Sequence, residues 1–252
     1  MALDLRITLD KGSLQKQLSA LSHGEIRTAT AYALNMLAAN GKRAVVDRAK
    51  EVFDRPTKFT LGGFFTDKAT PGNLEAGVGT IDFDKSEKGT PAIRYLGPQI
   101  HGGGRDMKKS EVALSALSGG QYWVPGPGAP LDEYGNIQRG EITRILSRMG
   151  VASNQAINMT DRTAKRLARQ GKNAKGQRSE YFIPRERGNG RPKGIYKLVG
   201  PGKVVAVLYF TPRRPTYRVR LPLEQIVQQS FAARQDRVIY YALKRVFRER
   251  LG

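Results

Sequence analysis

Two long segments, one near each end of the chain, carry apolar residues at helical spacing. In residues 22–53 they recur at intervals of three, four and seven: Ile26, Ala29, Ala33, Leu34, Leu37, Ala44, Val45 and Val52. Residues 223–250 repeat the pattern with Ile226, Val227, Phe231, Val238, Tyr241, Ala242 and Val246. Such spacing places these side chains on one face of an α-helix. The sequence therefore predicts a long helix at each end. We expect six residues of the two helices to share one core: Tyr32, Leu34, Leu37, Phe231, Val238 and Tyr241.

Between these helices the apolar runs are short and typical of β-strands. In residues 74–130, which we interpret as strands and glycine/proline loops, the predicted strands are Leu74–Phe83 and Ala92–Leu96. The predicted loops there are residues 97–105 and 121–130, the second held by Trp123. Further strands are predicted at Tyr181–Ile183, Ile195–Val199 and Val204–Phe210. Gly200-Pro201-Gly202 joins the last two as a hairpin within residues 195–220. Short helices are predicted over residues 107–117 and 141–149.

These elements together predict an α+β fold. We expect residues 1–252 to form a single domain with a small, mostly antiparallel sheet. Long N-terminal and C-terminal helices would flank this sheet, with extended Gly/Pro-rich and basic loops between its strands.

The charge of the chain adds an expectation about its partners. The 43 Lys and Arg residues exceed the 22 Asp and Glu residues and leave a net charge of +21. A field of this size attracts nucleic acid or acidic protein surfaces. Residues 161–194 are basic and poor in apolar residues, so we predict mobile loops that become ordered on assembly. Eight residues are candidate contacts to a polyanion or a partner: Arg185, Arg187, Arg191, Lys193, Arg213, Arg214, Arg218 and Arg220.

Catalytic chemistry has little support in the sequence. The chain has no cysteine and two distant histidines, and it lacks the spacings of known metal sites. His101-Gly102-Gly103-Gly104 matches the oxyanion loop of some esterases, but the GxSxG nucleophile motif that such a loop requires is absent. Six acidic residues that a nuclease could use show no metal-binding pattern: Asp67, Glu75, Asp82, Asp84, Asp132 and Glu133. We therefore predict a protein that is not an enzyme, with no catalytic or metal-binding residue and no cofactor.

The glycine loop has a structural interpretation instead. We predict that His101, Gly102, Gly103, Gly104 and Arg105, together with Trp123, form a contact between subunits. No run approaches eighteen apolar residues, so we expect no membrane span.

Three segments of the sequence resemble the minor tail protein Z family of tailed phages. They are the alanine-rich Thr28–Ala38 leading to Arg55-Pro56-Thr57-Lys58, the central Tyr95–Arg105, and Tyr217–Leu223 before a basic helix. The resemblance implies a tail-completion or head–tail connector (neck) protein that forms a ring around the DNA channel. It implies portal, connector or tail proteins as partners, and a virion location after synthesis in the host cytoplasm. Residues 119–170 are longer than the family pattern and look like an insertion.

Two functions remain open at this point. The first is a structural virion protein at the portal–tail junction. The alternative is a nucleic-acid-binding protein. Its binding would be non-specific, because the sequence holds no motif for reading bases. A nucleic-acid binder would lose affinity steeply with salt, whereas a virion protein would keep a fixed copy number in each particle.

Overall fold

The computed structural model describes residues 5–7, 23–82, 90–152, 160, 162, 181–200 and 202–251. Helices in these residues are α1 (His23–Val52), α2 (Lys58–Leu61), α3 (Ala92–His101), α4 (Lys109–Ala113), α5 (Ser115–Ser118), α6 (Arg139–Arg148), α7 (Leu223–Ala232) and α8 (Gln235–Leu251). Strands are β1 (Leu5–Ile7), β2 (Phe64–Asp67), β3 (Ala76–Thr80), β4 (Gly103–Gly104), β5 (Tyr122–Pro125), β6 (Tyr181–Phe182), β7 (Gly194–Gly200), β8 (Lys203–Thr211) and β9 (Thr216–Tyr217). Helices beside small antiparallel sheets confirm the predicted α+β class.

The chain divides into two compact units, where the sequence predicted a single domain. Unit 1 is formed by Met1–Gly103 and Thr216–Gly252, and unit 2 is the continuous segment Gly104–Pro215. Unit 2 is therefore inserted into the sequence of unit 1. Apolar periodicity could not reveal this division, because it shows which side chains are buried but not in which core.

Unit 1 is built on a three-stranded antiparallel sheet in the order β1-β3-β2. All five residues of the central strand β3 are buried. Helix α1 packs on this sheet and on α7, and Gly41 allows the close approach to α7, because a Cβ there would lie 3.2 Å from Val227 Cγ1. The main core joins α1 to α3, β3 and the start of α7, with Leu34, Val45, Phe64, Val78, Leu96, Leu221 and Val227 among its buried residues.

The terminal helices meet as predicted, but with a different set of side chains. Leu37 packs with Val238 in a smaller core, and Phe231 contacts this cluster and the main one. Leu34 lies in the main core. Tyr32 and Tyr241 are exposed, so their placement in a shared core was wrong. The cause is a turn at Ala233–Arg234 that breaks the predicted single helix 223–250 into α7 and α8. The turn changes which residues of the second half face α1.

Unit 2 contains a four-stranded antiparallel sheet in the order β5-β8-β7-β6. Strands β7 and β8 form the hairpin that Gly200-Pro201-Gly202 predicted. One face of the sheet packs against α4, α5 and α6, and the fully buried Leu114, Ile145, Ile195, Val207 and Leu208 lie in the core between them.

Two segments differ from their predicted conformation. Ala92–Leu96 is part of helix α3 rather than a strand, because Ala92, Leu96 and Ile100 recur every four residues and are buried together. A five-residue apolar run cannot distinguish these alternatives by itself. Residues 97–101 are consequently helical, not loop. Tyr122–Pro125, also predicted as loop, is the edge strand β5, where a terminal proline leaves the pairing intact.

Some predicted features lie outside the described residues. They are the charged turn around Asp84 and most of the basic segment 161–180. From β6 onward, the described part of residues 161–194 is hydrogen-bonded. Pro184, Arg185 and Glu186 pair with Lys193, Pro192 and Arg191. We call residues 184–193 the basic hairpin.

Candidate functional sites

The first polar cluster, in unit 2, is centred on the fully buried carboxylate of Glu111. Arg105 donates to it through two nitrogens, each 2.6 Å from a carboxylate oxygen. The backbone N–H groups of Lys108 and Trp123 donate at 2.6 and 3.1 Å. The ammonium of Lys108 lies 4.1 Å from the centre of the Trp123 ring. Four donors around one carboxylate hold the start of α4 against strand β5.

These contacts also set the ionisation of Glu111. Burial by itself raises the pKa of this carboxyl group. The hydrogen bonds from Arg105, Lys108 and Trp123 outweigh burial, so the pKa of Glu111 lies below its ordinary value. The group therefore stays ionised at neutral pH and its function is structural.

This arrangement changes the interpretation of two predicted subunit contacts. The side chain of Arg105 is 12% exposed, and Trp123 is buried and donates its ring N–H to Ser110 at 3.2 Å. Both residues are engaged within their own unit. Because the sequence separates Arg105, Glu111 and Trp123 by six and twelve positions, no local pattern indicated the cluster.

The glycine segment carries the backbone where the chain leaves unit 1. His101 is the exposed last residue of α3. Gly102 and Gly103 have φ angles of 76° and 87°, which side-chain-bearing residues rarely adopt. A Cβ on Gly104 would lie 2.5 Å from Arg214 Nε. The glycines are thus required by backbone conformation and close packing within the chain.

The predicted basic residues fall into two groups in the structure. Arg185, Arg187, Arg191 and Lys193 are exposed on the basic hairpin of unit 2. Arg213 and Arg214 follow β8 in the same unit. Arg214 donates to the carbonyl of Arg105 at 3.0 Å and to Asp106 at 3.3 Å, and therefore has a structural contact as well.

The other two predicted residues belong to unit 1. Arg218 and Arg220 are exposed, and the Arg220 guanidinium lies 5.5 Å from the centre of the Phe53 ring. The backbone N–H of Arg220 donates to the carbonyl of Gln99 at 2.9 Å. The predicted basic residues are thus divided between the two units.

Sequence reasoning missed a row of aromatic rings on the sheet of unit 2. Phe182, Tyr196 and Tyr209 lie on neighbouring strands, and the ring centres are 6.2 Å apart in each adjacent pair. We call these three residues the aromatic row. Burial raises the pKa of Tyr196, and Tyr209 raises it further. The sequence shows only that each ring follows an apolar residue or tyrosine in its strand; the alignment of the three rings depends on the strand register.

A second polar cluster in unit 2 was also missed. The phenol of Tyr181 donates to the buried Glu141, and Arg144 donates to the same carboxylate at 3.0 Å. Lys197 approaches it at 3.7 Å. Burial raises the pKa of Tyr181, and its hydrogen bond to Glu141 adds to the increase. The phenol thus remains protonated and joins α6 to β6.

Unit 1 displays a cluster of exposed tyrosines paired with cations. The guanidinium of Arg245 lies 4.6 Å from the centre of the Tyr32 ring, and that of Arg237 lies 5.6 Å from Tyr241. Lys244 lies 5.7 Å from the Tyr240 ring. We call these six residues the basic tyrosine cluster. Tyrosine and arginine are the residues most enriched at the energetic centres of protein interfaces.

Metal and membrane features were searched over the described ranges. Among these residues, no group of three or more His, Cys, Asp or Glu side chains could hold a metal ion. None of the helices described is long and apolar enough to cross a membrane.

Comparisons with protein-family models, curated proteins and solved structures gave no match to this chain.

Proposed function

We propose that the chain is a structural protein of a tailed-phage particle, a tail-completion or head–tail connector component that assembles as a ring at the portal–tail junction. Its partners would be portal, connector or tail proteins, and it would act through protein contacts rather than catalysis.

One observation carries the proposal. The three segments that resemble the minor tail protein Z family are distant in sequence, yet they contribute to one core in unit 1. Leu34 of the first segment, Leu96 of the second and Leu221 of the third are all buried in the main cluster. The resemblance therefore follows a folding unit, as a shared domain would.

Details of these segments support the same interpretation. Asn35, in the Ala-Leu-Asn run, donates to the carbonyl of Ala69 at 2.9 Å and accepts from its N–H at 2.7 Å. The backbone carbonyl of Gln99 in the central segment accepts from the N–H groups of Arg220 and Leu221 in the third segment. The three segments thus take part in hydrogen bonds that connect elements of unit 1, and the side chain of Asn35 gives the first segment a structural reason to keep its polar residue.

The remainder of the chain fits an addition to that unit. The sequence indicated an insertion at residues 119–170, and unit 2 spans the wider segment Gly104–Pro215. A family member with an added unit would keep the assembly core and gain a further surface.

The basic tyrosine cluster is the surface that we assign to assembly. Tyr32, Tyr240 and Tyr241 are 37%, 60% and 47% exposed. A ring of identical subunits needs a face that meets a different surface on its neighbour. Tyrosine side chains beside cations fit an acidic surface on the protein of a neighbouring ring.

Deletion of the gene from its phage tests the proposal. Electron microscopy of the resulting lysate should show heads and tails that are unjoined or incorrectly terminated, and a plasmid copy should restore infectivity. Complete, infectious particles formed without the protein would contradict a structural role.

Charge reversal separates the assembly surface from general charge. A plasmid that encodes the Arg237→Glu/Lys244→Glu variant should fail to restore joined particles. Its matched control, Arg139→Glu/Lys203→Glu at two exposed positions of unit 2, changes the net charge equally and should restore them. Equal rescue by both plasmids would remove the basic tyrosine cluster from the proposal.

A further inference from the structure

We propose that the outer sheet face of unit 2 binds single-stranded nucleic acid, with unpaired bases stacked on the aromatic row and phosphates held by the basic hairpin. This inference does not depend on the proposed role in tail assembly, and either could fail without the other.

The outer face is defined by a pattern that all four strands repeat. In each strand, a buried residue of the core is followed by a residue that points to the opposite face. The pairs are Trp123 and Val124, Tyr181 and Phe182, Ile195 and Tyr196, and Leu208 and Tyr209. The second members form a band across the sheet, with exposed fractions of 42%, 40% and 39% for Val124, Phe182 and Tyr209.

The strand register places the three rings side by side. Phe182 is the cross-strand partner of Tyr196, and Val124 is the partner of Tyr209. The centre-to-centre distance of 6.2 Å between successive rings makes the row continuous over three strands. Phe182 and Tyr209 are exposed on either side of the half-buried Tyr196, and a continuous exposed apolar patch of this kind marks a binding surface.

The charge next to the row identifies the kind of ligand. Residues 184–193 contain four cations and a single acid, Glu186, which accepts a hydrogen bond from Asn189 at 2.7 Å. Arg185 follows Phe182 by three residues, and Lys193 precedes Tyr196 by three. At about 3.3 Å per residue, these cations lie roughly 10 Å along the strands from the rings. Flat apolar rings beside a cationic hairpin match a ligand with flat bases and a phosphate backbone.

The aromatic row favours single-stranded nucleic acid over a duplex. The bases of a duplex are paired and stacked internally, so they cannot lie on protein side chains. Aromatic residues on a sheet bind successive bases of a single strand without reading their sequence. An acidic protein surface is the competing occupant, because rings beside cations also fit acidic protein surfaces, as we propose for the basic tyrosine cluster. Nucleic acid is favoured here because bases match three rings in a row over neighbouring strands.

Fluorescence anisotropy with the full-length chain tests the proposal. The probes are a labelled twelve-residue oligo(dT) and a labelled DNA duplex of twelve base pairs and mixed sequence, which offers more phosphates than the single strand. We expect the single strand to bind at least about tenfold more tightly than the duplex at 150 mM salt, because stacking adds to the phosphate contacts.

Substitutions locate the binding surface. Phe182→Leu and Tyr209→Leu should each weaken oligo(dT) binding by about tenfold and leave duplex binding unchanged. The matched control is Phe59→Leu, which removes a ring that is 62% exposed in unit 1 and lies outside both assigned surfaces. This variant should bind both probes as the unaltered chain does. Thermal melting confirms that each variant is folded.

Several results would overturn the proposal. Equal affinity for the two probes, or ring variants that bind normally, would mean attraction by charge alone. Competition by poly-glutamate at least as effective as that by oligo(dT) would indicate an acidic protein partner instead. Photo-crosslinking with 5-bromouracil oligonucleotides gives a second readout that needs no substitution. Crosslinks should map to peptides of β6, β7 or β8, and their absence there would also refute the assignment.

Discussion

At the residue scale, the buried Glu111 determines how unit 2 is held together. Arg105, Lys108 and Trp123 all donate to this one carboxylate, so its loss leaves their four donor groups without their acceptor. The sequence predicted Arg105 and Trp123 to contact another subunit. It could not predict their connection, because the contact depends on the tertiary position of a strand that was itself predicted as loop.

Replacing Glu111 by glutamine should strongly destabilise the protein. The change leaves the Arg105 guanidinium in a buried site without its counter-charge, which costs about 3–5 kcal/mol. Denaturant unfolding at pH 7 measures the effect. Asp106→Asn is the control, because it removes an exposed ion pair. The side chains of Arg214 and Asp106 are 54% and 71% exposed, so the loss of this pair should change stability little. Similar losses in the two variants would contradict the account.

The same carboxylate should produce a pH dependence. The pKa of Glu111 is lower in the folded chain than its ordinary value of 4.5. Its stabilising contribution is therefore present above that value and is lost as the pH falls through the folded-state pKa. The stability difference between the unaltered chain and Glu111→Gln should narrow as the pH decreases below 4.5. If the stability difference between the two proteins stays constant down to pH 2, the ionised carboxylate of Glu111 is not what stabilises the unaltered chain.

At the element scale, apolar periodicity predicted the helices better than the strands. Residues 22–53 repeat the helical pattern over many turns, and α1 ends within a residue of the predicted boundary. Short apolar runs contain too few repeats to distinguish a helix from a strand. For this reason Ala92–Leu96, which is helical, was predicted as a strand. The turn between α7 and α8 was missed because neither Gly nor Pro marks it.

The packing of α8 on α1 predicts that two nearby substitutions in α8 will have very different effects on the free energy of unfolding. Val238 is 5% exposed and packs with Leu37, whereas Tyr240 is 60% exposed. Val238→Asp should lower the free energy of unfolding by more than about 3 kcal/mol, because it buries an unpaired charge. Tyr240→Asp, two residues away on the same helix, should have a small effect. Thermal melting of both variants checks the prediction, and unchanged stability in Val238→Asp would refute the observed packing.

At the scale of the whole molecule, the sequence indicated only part of the inserted unit, because it placed an insertion at residues 119–170 whereas unit 2 spans Gly104–Pro215. Long sequence separation hides such an arrangement, since Gly103 and Thr216 belong to one unit although more than a hundred residues separate them. The candidate sites were predictable only in part. Clustered charge identified the basic hairpin, whereas the aromatic row required the register of three strands.

Excision of unit 2 should leave unit 1 able to fold. The N–H of Arg105 lies 3.2 Å from the carbonyl oxygen of Pro215, so the two ends of unit 2 are adjacent. A linker of about four Gly and Ser residues can therefore replace Gly104–Pro215. The shortened chain should retain helical circular dichroism and melt cooperatively. Loss of the cooperative transition would show that unit 1 depends on unit 2.

Counting this chain in purified phage particles tests the central proposal most directly. Quantitative mass spectrometry, calibrated with isotope-labelled peptides from unit 1 and unit 2, gives the number of copies per virion relative to the portal protein. A structural component of one ring should be present in a small, fixed number that is the same for peptides of both units and in every preparation. Absence from mature particles, or a number that varies with the salt used in purification, would contradict a place in the virion structure.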